Sequence, residues 1–290
     1  MTELPNPDPK APSGPFLTEP LRDLSAWTRY FRDAEIPVLA ETSQALEALR
    51  AIEDDVDAGM LNTVIQSDPL MTLKVMAYVA SRRRSGGGTQ AETITSSLLM
   101  MGISPFFRTF GLQPTIEDRL GNEPLALQGL RELLRRAERA GRFAVGFAVH
   151  RNDLDASIIH LAAFLHDFAE LLLWCHAPAL ALRVRDALRA APTLRTADVQ
   201  REVLNIRLDD LRQELMALSH LPDLLLRLSD GRHPEQANVR NVMLAVRLAR
   251  HTMSGWDNAA LSDDIDEIAK LLNASPRIAL AFVHKLDQTA

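Results

Sequence analysis

Cysteine is almost missing from this sequence: Cys175 stands alone among 290 residues. A single thiol builds neither a disulfide framework nor a cysteine-based zinc site, which fits a reducing cytosol. No apolar run approaches the ~18 uninterrupted residues of a membrane span, and the N-terminus lacks the basic-then-apolar order of a signal peptide. The expectation is a cytoplasmic chain without membrane association. Surplus positive charge is missing too. Lys and Arg total 32 against 38 Asp and Glu, a net charge of −6, so the field of the whole molecule repels anions and disfavours general nucleic-acid binding. A polyphosphate would have to be met by a local basic patch.

Several catalytic signatures are also wanting. No two of the eight histidines sit at i and i+4 with a Glu between, as metalloproteases need. No Gly-x-Ser-x-Gly elbow occurs, and no glycine-rich stretch ends in Gly-Lys-Ser/Thr. Period-two runs of β-branched residues do not persist, and no repeat of fixed period is seen.

What is there reads as helix. Hydrophobic residues make up 47% and charged residues 24%, inside the ordinary range for a folded chain. A chain of this length buries roughly 75% of its unfolded surface. The text of residues 1–20 is dense in proline and polar residues and is expected to be a disordered tail. Leu21, Leu24, Trp27 and Phe31 recur at helical spacing until Ile36-Pro37-Val38 interrupts them. Leu46, Leu49 and Ile52 mark a second helix, and Met60, Leu61, Val64 and Ile65 a third that stops near Ser67. Asp68-Pro69 then restarts a helix, Asp as N-cap and Pro at the first helical position. The run Ser81-Arg82-Arg83-Arg84-Ser85-Gly86-Gly87-Gly88 reads as a mobile loop. Ile94 to Met101 resumes the helix, Gly102 closes it and Ser104-Pro105 starts another. Two long segments follow, from about Leu125 to Val149 and from about Leu154 to His176, and helices then recur between breaks at Pro178, Pro192, Pro222, Pro234, Gly255 and Pro276. The expected fold is all-α.

The most informative segment is Phe164-Leu165-His166-Asp167-Phe168-Ala169-Glu170, a His-Asp pair inside strongly apolar text. Burying an ionised Asp without partners is costly, so such a pair either binds a metal or is hydrogen-bonded to its surroundings. At this point the chain resembles the HDOD domains, divergent relatives of the HD phosphohydrolases found in bacterial signalling proteins. The likeness runs through Ile36-Pro37-Val38, Ser67-Asp68-Pro69-Leu70-Met71-Thr72-Leu73-Lys74, Leu98-Leu99-Met100-Met101-Gly102, Leu165-His166-Asp167 and Leu221-Pro222. It implies a multi-helix HD-like bundle: an N-terminal sub-bundle over 21–115, an HD-like sub-bundle over 116–235 and a C-terminal helical extension over 236–290.

HD phosphohydrolases hold divalent cations with a first His, the His-Asp pair and a later Asp, and the metal supplies the Lewis acid and the hydroxide. By the spacing usual there, the first His falls near Arg135-Arg136-Ala137 and the last Asp near Arg250. The second His-rich spot falls near Leu228-Ser229-Asp230-Gly231, where no His pair exists, although His233 is close by. An arginine cannot give up its proton, so it brings a fixed positive charge where a ligand belongs. One unit charge facing a divalent cation at about 5 Å and an effective dielectric near 20 costs on the order of 6 to 7 kcal/mol. His166 and Asp167 are therefore expected to be a vestigial pair that fastens helices, with no catalytic residues, bound metal or other cofactor.

Weaker signals concern anions. Arg131, Arg135, Arg136, Arg139 and Arg142 could form a phosphate-binding face, but Glu132 and Glu138 lie four residues before Arg136 and Arg142, the pattern of paired charges on a solvated helix surface. Arg82, Arg83 and Arg84 with their glycines are the best remaining anion site. His160, His166 and His176 are spaced to different faces, and Cys175 beside Trp174 reads as core. Trp256 either anchors the last helices or marks a partner surface. The resemblance implies a non-catalytic bacterial regulator that binds signalling proteins, with an upstream link to cyclic di-GMP. The alternatives are a metal-dependent phosphohydrolase acting on a nucleotide or cyclic dinucleotide, and a sensor that binds a nucleotide through its arginines without hydrolysing it.

Overall fold

The structure, a computed structural model, describes residues 14–82, 93–191 and 193–288. Among them the regular structure is helical apart from one parallel bridge, in which Val38 N–H donates to Pro114 O at 2.9 Å and Ile116 N–H to Val38 O at 2.8 Å.

A small core is built by α2 (Ala40–Arg50), a 3-10 turn at Glu53–Asp55, α3 (Ala58–Ile65), α4 (Pro69–Arg82), α5 (Ile94–Met101) and α6 (Ile103–Thr109). Val38, Leu46, Leu61, Ile65, Leu98 and Phe106 fill it. The start of α4 is fixed as its sequence implies. Asp68 Oδ1 accepts from the N–H groups of Leu70 at 2.9 Å and Met71 at 3.1 Å, while its Oδ2 accepts from Leu39 N–H at 2.8 Å. One buried carboxylate thus caps α4 and holds the residue before α2. α4 serves two cores: Met71 and Val75, four residues apart, face the small one, and Leu70, Leu73 and Met76 face the large one. At the end of α5, Gly102 takes φ +82°, a value that glycine adopts without steric cost.

The large core takes in α1 (Leu24–Asp33), α7 (Ile116–Leu120), α8 (Pro124–His150), α9 (Ala156–Phe164), α10 (Phe168–His176), α11 (Pro178–Ala190), α12 (Thr196–Leu204), α13 (Leu208–Leu218), α14 (Asp223–Asp230), α15 (Ala237–His251), α16 (Leu261–Leu272) and α17 (Pro276–Gln288). This redraws the expected partition. α1 packs against α13, with Trp27 and Phe31 in the large core and Trp27 Nε1–H donating to Leu204 O at 2.9 Å. The small sub-bundle therefore starts at Val38 rather than at residue 21. Residues 236–290 share the core of 116–235, because α8 is buried on a wide face and α15 lies along it.

The expected tail is shorter within the described residues. Leu17 N–H donates to His176 O at 2.8 Å, and Arg119 Nη2 donates to Gly14 O at 3.3 Å with its guanidinium 4.8 Å over the Phe16 ring. Phe16 and Leu17 carry enough apolar surface to seat residues 14–20 despite the prolines. Residues 1–13 lie outside the described residues, as do Arg83, Arg84 and the rest of the glycine-rich loop expected there.

The second long helix is in fact two. α9 ends at Phe164, α10 begins at Phe168, and between them His166 N–H bonds to Ala163 O at 3.2 Å and Phe168 N–H to Leu165 O at 3.2 Å. These i−3 bonds tighten the turn and spare the His166 carbonyl for another partner. Ala156–His176 is the one described stretch long and apolar enough to cross a membrane, and 78% of its most apolar window is buried inside the fold.

Candidate functional site

The break between α9 and α10 puts His166 and Asp167 where α8, α13 and α15 converge. His166 Nδ1 and Asp167 Oδ1 are 2.9 Å apart. Arg212 of α13 supplies the other half of the imidazole's bonding: its Nη1 lies 2.9 Å from His166 Nε2 and also donates to His166 O at 3.1 Å. A guanidinium only donates, so Nε2 accepts, the proton sits on Nδ1, and the ring is neutral. Burial and the Arg212 charge both hold the His166 pKa below its ordinary value.

Asp167 is equally committed. Its Oδ2 accepts from Arg136 Nε at 2.8 Å, and Arg250 Nη2 of α15 lies 3.6 Å from its Oδ1. Arg136 Nη2 donates to Glu170 Oε2 at 2.7 Å, one turn along α10. Burial alone would push the Asp167 carboxyl up, but Arg136 and His166 outweigh it and hold it well below the usual carboxylate range. Burial likewise disfavours the charged Arg136, and its two carboxylates more than restore it. The side chains of Arg136 and Asp167 are only 17% and 10% exposed, so this pairing operates where water screens little.

Arg136 and Arg250, which lie near the two places where the resemblance expects metal ligands, thus both reach Asp167. Arg212 was not singled out from sequence. Its signal is an arginine among Leu208, Leu211 and Leu215 on the buried stripe of α13, where a charge needs partners. Arg212 Nη2 donates to Ser229 O at 3.0 Å and its Nη1 lies 3.1 Å from Asp209.

The solvated-face reading of α8 needs correcting. Arg136 turns to Asp167 and Glu170 rather than to Glu132, which bonds Gln128 and Arg189 instead. Arg139 forms a two-pronged pair with Asp287 of α17 at 2.8 and 2.9 Å and donates to Thr252 O at 3.0 Å. Both arginines flank the stripe of Leu133, Ala137 and Ala140 and reach inward, whereas Arg131 and Arg135 are exposed. Arg82 is apart from this site, at the end of α4 with its guanidinium 5.0 Å over the Tyr78 ring, so Arg82 and Arg136 do not form one anion site.

The remaining candidates go elsewhere. His160 stacks on Phe164 at 5.6 Å, His176 Nε2 bonds Glu35 O at 2.9 Å, and His233 pairs with Glu235 on the surface. Cys175 is fully buried, and burial pushes its thiol pKa up. Trp256 is half-buried against His284 of α17, ring centroids 3.9 Å apart, and so ties the chain after α15 to the last helix.

HD-type chemistry requires a divalent cation, and these residues do not fit one. The Nε2 lone pair of His166 and both Asp167 oxygens face N–H donors or a guanidinium, and three guanidinium charges surround the place a cation would take. No group of three or more His, Cys, Asp or Glu among the described residues is arranged to hold a metal. Beside the pair lies a cavity of about 530 Å³ whose walls include Leu133, Leu173, Val184, Arg189, Arg212 and Arg250.

The family model described as HDOD domain matches residues 36–233. No curated protein matches the chain by sequence. Among solved structures, the MmoQ response regulator from Methylococcus capsulatus superposes with a TM-score of 0.63 at 18% identity, covering 87% of this chain and 98% of that one. A virulence factor from Campylobacter jejuni superposes with a TM-score of 0.61 at 17% identity, covering 86% and 87% of the two chains. At these identities the likeness is one of fold.

Proposed function

The chain belongs to the HDOD domain family, and from that premise we propose that it is a non-catalytic regulator of bacterial signal transduction, cytoplasmic and acting by binding another signalling protein. A regulatory role accords with the response regulator that shares its fold. The observation that carries the non-catalytic reading is the set of guanidinium groups on the His-Asp pair. Arg136 and Arg212 satisfy Asp167 Oδ2 and His166 Nε2, atoms that metal chemistry would need, and Arg250 adds positive charge 3.6 Å from Asp167 Oδ1. In this reading the pair is a fastener that holds α8, α13 and α15 to the α9–α10 turn and so shapes a helical surface for a partner. A link to cyclic di-GMP signalling is part of the proposal and rests on family likeness.

The test is an assay of the purified full chain against cyclic di-GMP and a chromogenic phosphodiester, with and without added Mn²⁺, alongside melting curves in chelator. The proposal expects no turnover above a no-protein blank and no change of melting temperature with chelator. Metal-dependent turnover abolished by Asp167→Asn would overturn it in favour of a phosphohydrolase.

A further inference from the structure

The cavity beside the His-Asp pair has the size of pockets that take small organic molecules, about 530 Å³. One wall comes from α11. Val184 and Leu188 are four residues apart, as are Arg185 and Arg189, so each pair lies along one side of that helix. Leu173 of α10 and Leu133 of α8 extend the apolar surface.

The charged lining falls into two kinds. Arg136 and Arg212 are locked into the bonds already described. Arg250 is 46% exposed and reaches Asp167 no closer than 3.6 Å. Arg189 is 58% exposed and holds Glu132 at 3.2 Å, whereas Arg185 is only 17% exposed, pairs with its neighbour Asp186 and lies 5.9 Å over the Trp174 ring. The Arg189–Glu132 pair is of the solvated kind that contributes little to stability, so exchanging it for a better acceptor loses little. Arg136, Arg185, Arg189, Arg212 and Arg250 outnumber the lining carboxylates Glu132, Asp167, Glu170 and Asp209. The lining itself thus carries a margin of one positive charge in a chain whose net charge is −6, with Asp186 close behind Arg185.

We propose that this cavity binds a small organic anion, with its planar or aliphatic body against Val184, Leu188 and Leu173 and its phosphate or carboxylate held by Arg185, Arg189 and Arg250. Guanidinium forks match both oxyanions, and the apolar wall rewards a ligand that carries more than the bare anion. Such a ligand joins α11 to α15, two helices that flank the fastened pair. The inference rests on the non-catalytic reading: a site floored by guanidinium groups retains its ligand rather than cleaving it.

The experiment is titration calorimetry and thermal melting of the full chain with 5′-AMP, 5′-GMP, octanoate and inorganic phosphate, with the recovered ligand checked for breakdown. The proposal expects a nucleotide or the carboxylate to raise the melting temperature more than inorganic phosphate does, and which one responds identifies the anion source. Arg189→Gln should weaken that binding by about tenfold, as loss of one charge-assisted hydrogen bond implies, with ligand-free melting nearly unchanged, and Arg250→Gln should weaken it likewise while also lowering ligand-free melting through its lost contact with Asp167. No stabilisation by any of the four at millimolar concentration overturns the proposal. So does a response to inorganic phosphate equal to the rest, or binding that both variants leave intact. Tight binding followed by ligand breakdown would leave the pocket standing and overturn the non-catalytic reading instead.

Discussion

Single side chains carry the sharpest consequences. Asp167 neutralises buried Arg136 and anchors His166 Nδ1–H, so Asp167→Ala strands a charge in a poorly solvated place. The expected loss is about 3–5 kcal/mol in denaturant unfolding, the range for breaking one side of a buried pair. The Asp167 pKa is depressed in the fold. Its contribution is thus fully present above the unfolded carboxylate pKa of about 4 and lost as pH falls through the folded value. His176 acts at milder acidity. Its Nε2 faces Glu35 O at 2.9 Å and its Nδ1 faces Tyr30 Oη at 3.4 Å, and burial, aided by Arg119, lowers its pKa from 6.5 to about 4. Between those values the unfolded chain binds a proton that the fold refuses, so stability falls as pH drops below 6.5. By pH 5 the His176 share of that loss is about 2 kcal/mol. Urea unfolding from pH 7 to 5 should show the decline, and His176→Gln should flatten part of it; an unchanged slope in the variant would contradict the assignment.

Helices and their junctions were legible to different degrees. Pro and Gly punctuation located most ends, because those residues act through local backbone geometry that needs no tertiary information. Asp68-Pro69 is the clearest case, and Asp68→Ala should cost about 2 kcal/mol in thermal melting through loss of the α4 cap and of the acceptor for Leu39 N–H. The α9–α10 break escaped notice because its cause is remote in sequence: Arg212, on α13, takes the His166 carbonyl. The direction in which Arg136 and Arg139 point escaped for the same reason, since their partners lie on α10 and α17. Close helix contact yields another expectation. A Cβ on Gly129 would meet the Trp174 ring at 2.5 Å, so Gly129→Ala must push α8 and α10 apart or turn the indole. The expected cost is about 1–3 kcal/mol, with a change in tryptophan emission that a merely local effect on α8 would not give.

Across the whole molecule, two cores share α4 and the His-Asp pair sits within the larger one, at the meeting of helices far apart in sequence. The all-helical class could be read from periodicity, whereas the division between cores could not. α1 lies in the first part of the sequence, yet its Trp27 packs with Leu204 and the helices around it. The resemblance pointed to positions 136 and 250, and the fold brings both arginines to Asp167. Only the folded chain shows that Arg212 completes the set. The most direct check is the transition-metal content of the full chain, purified without chelator and measured by elemental mass spectrometry. The account predicts no stoichiometric iron, manganese or nickel. One or more equivalents per chain, retained through dialysis and lost in Asp167→Asn, would contradict it.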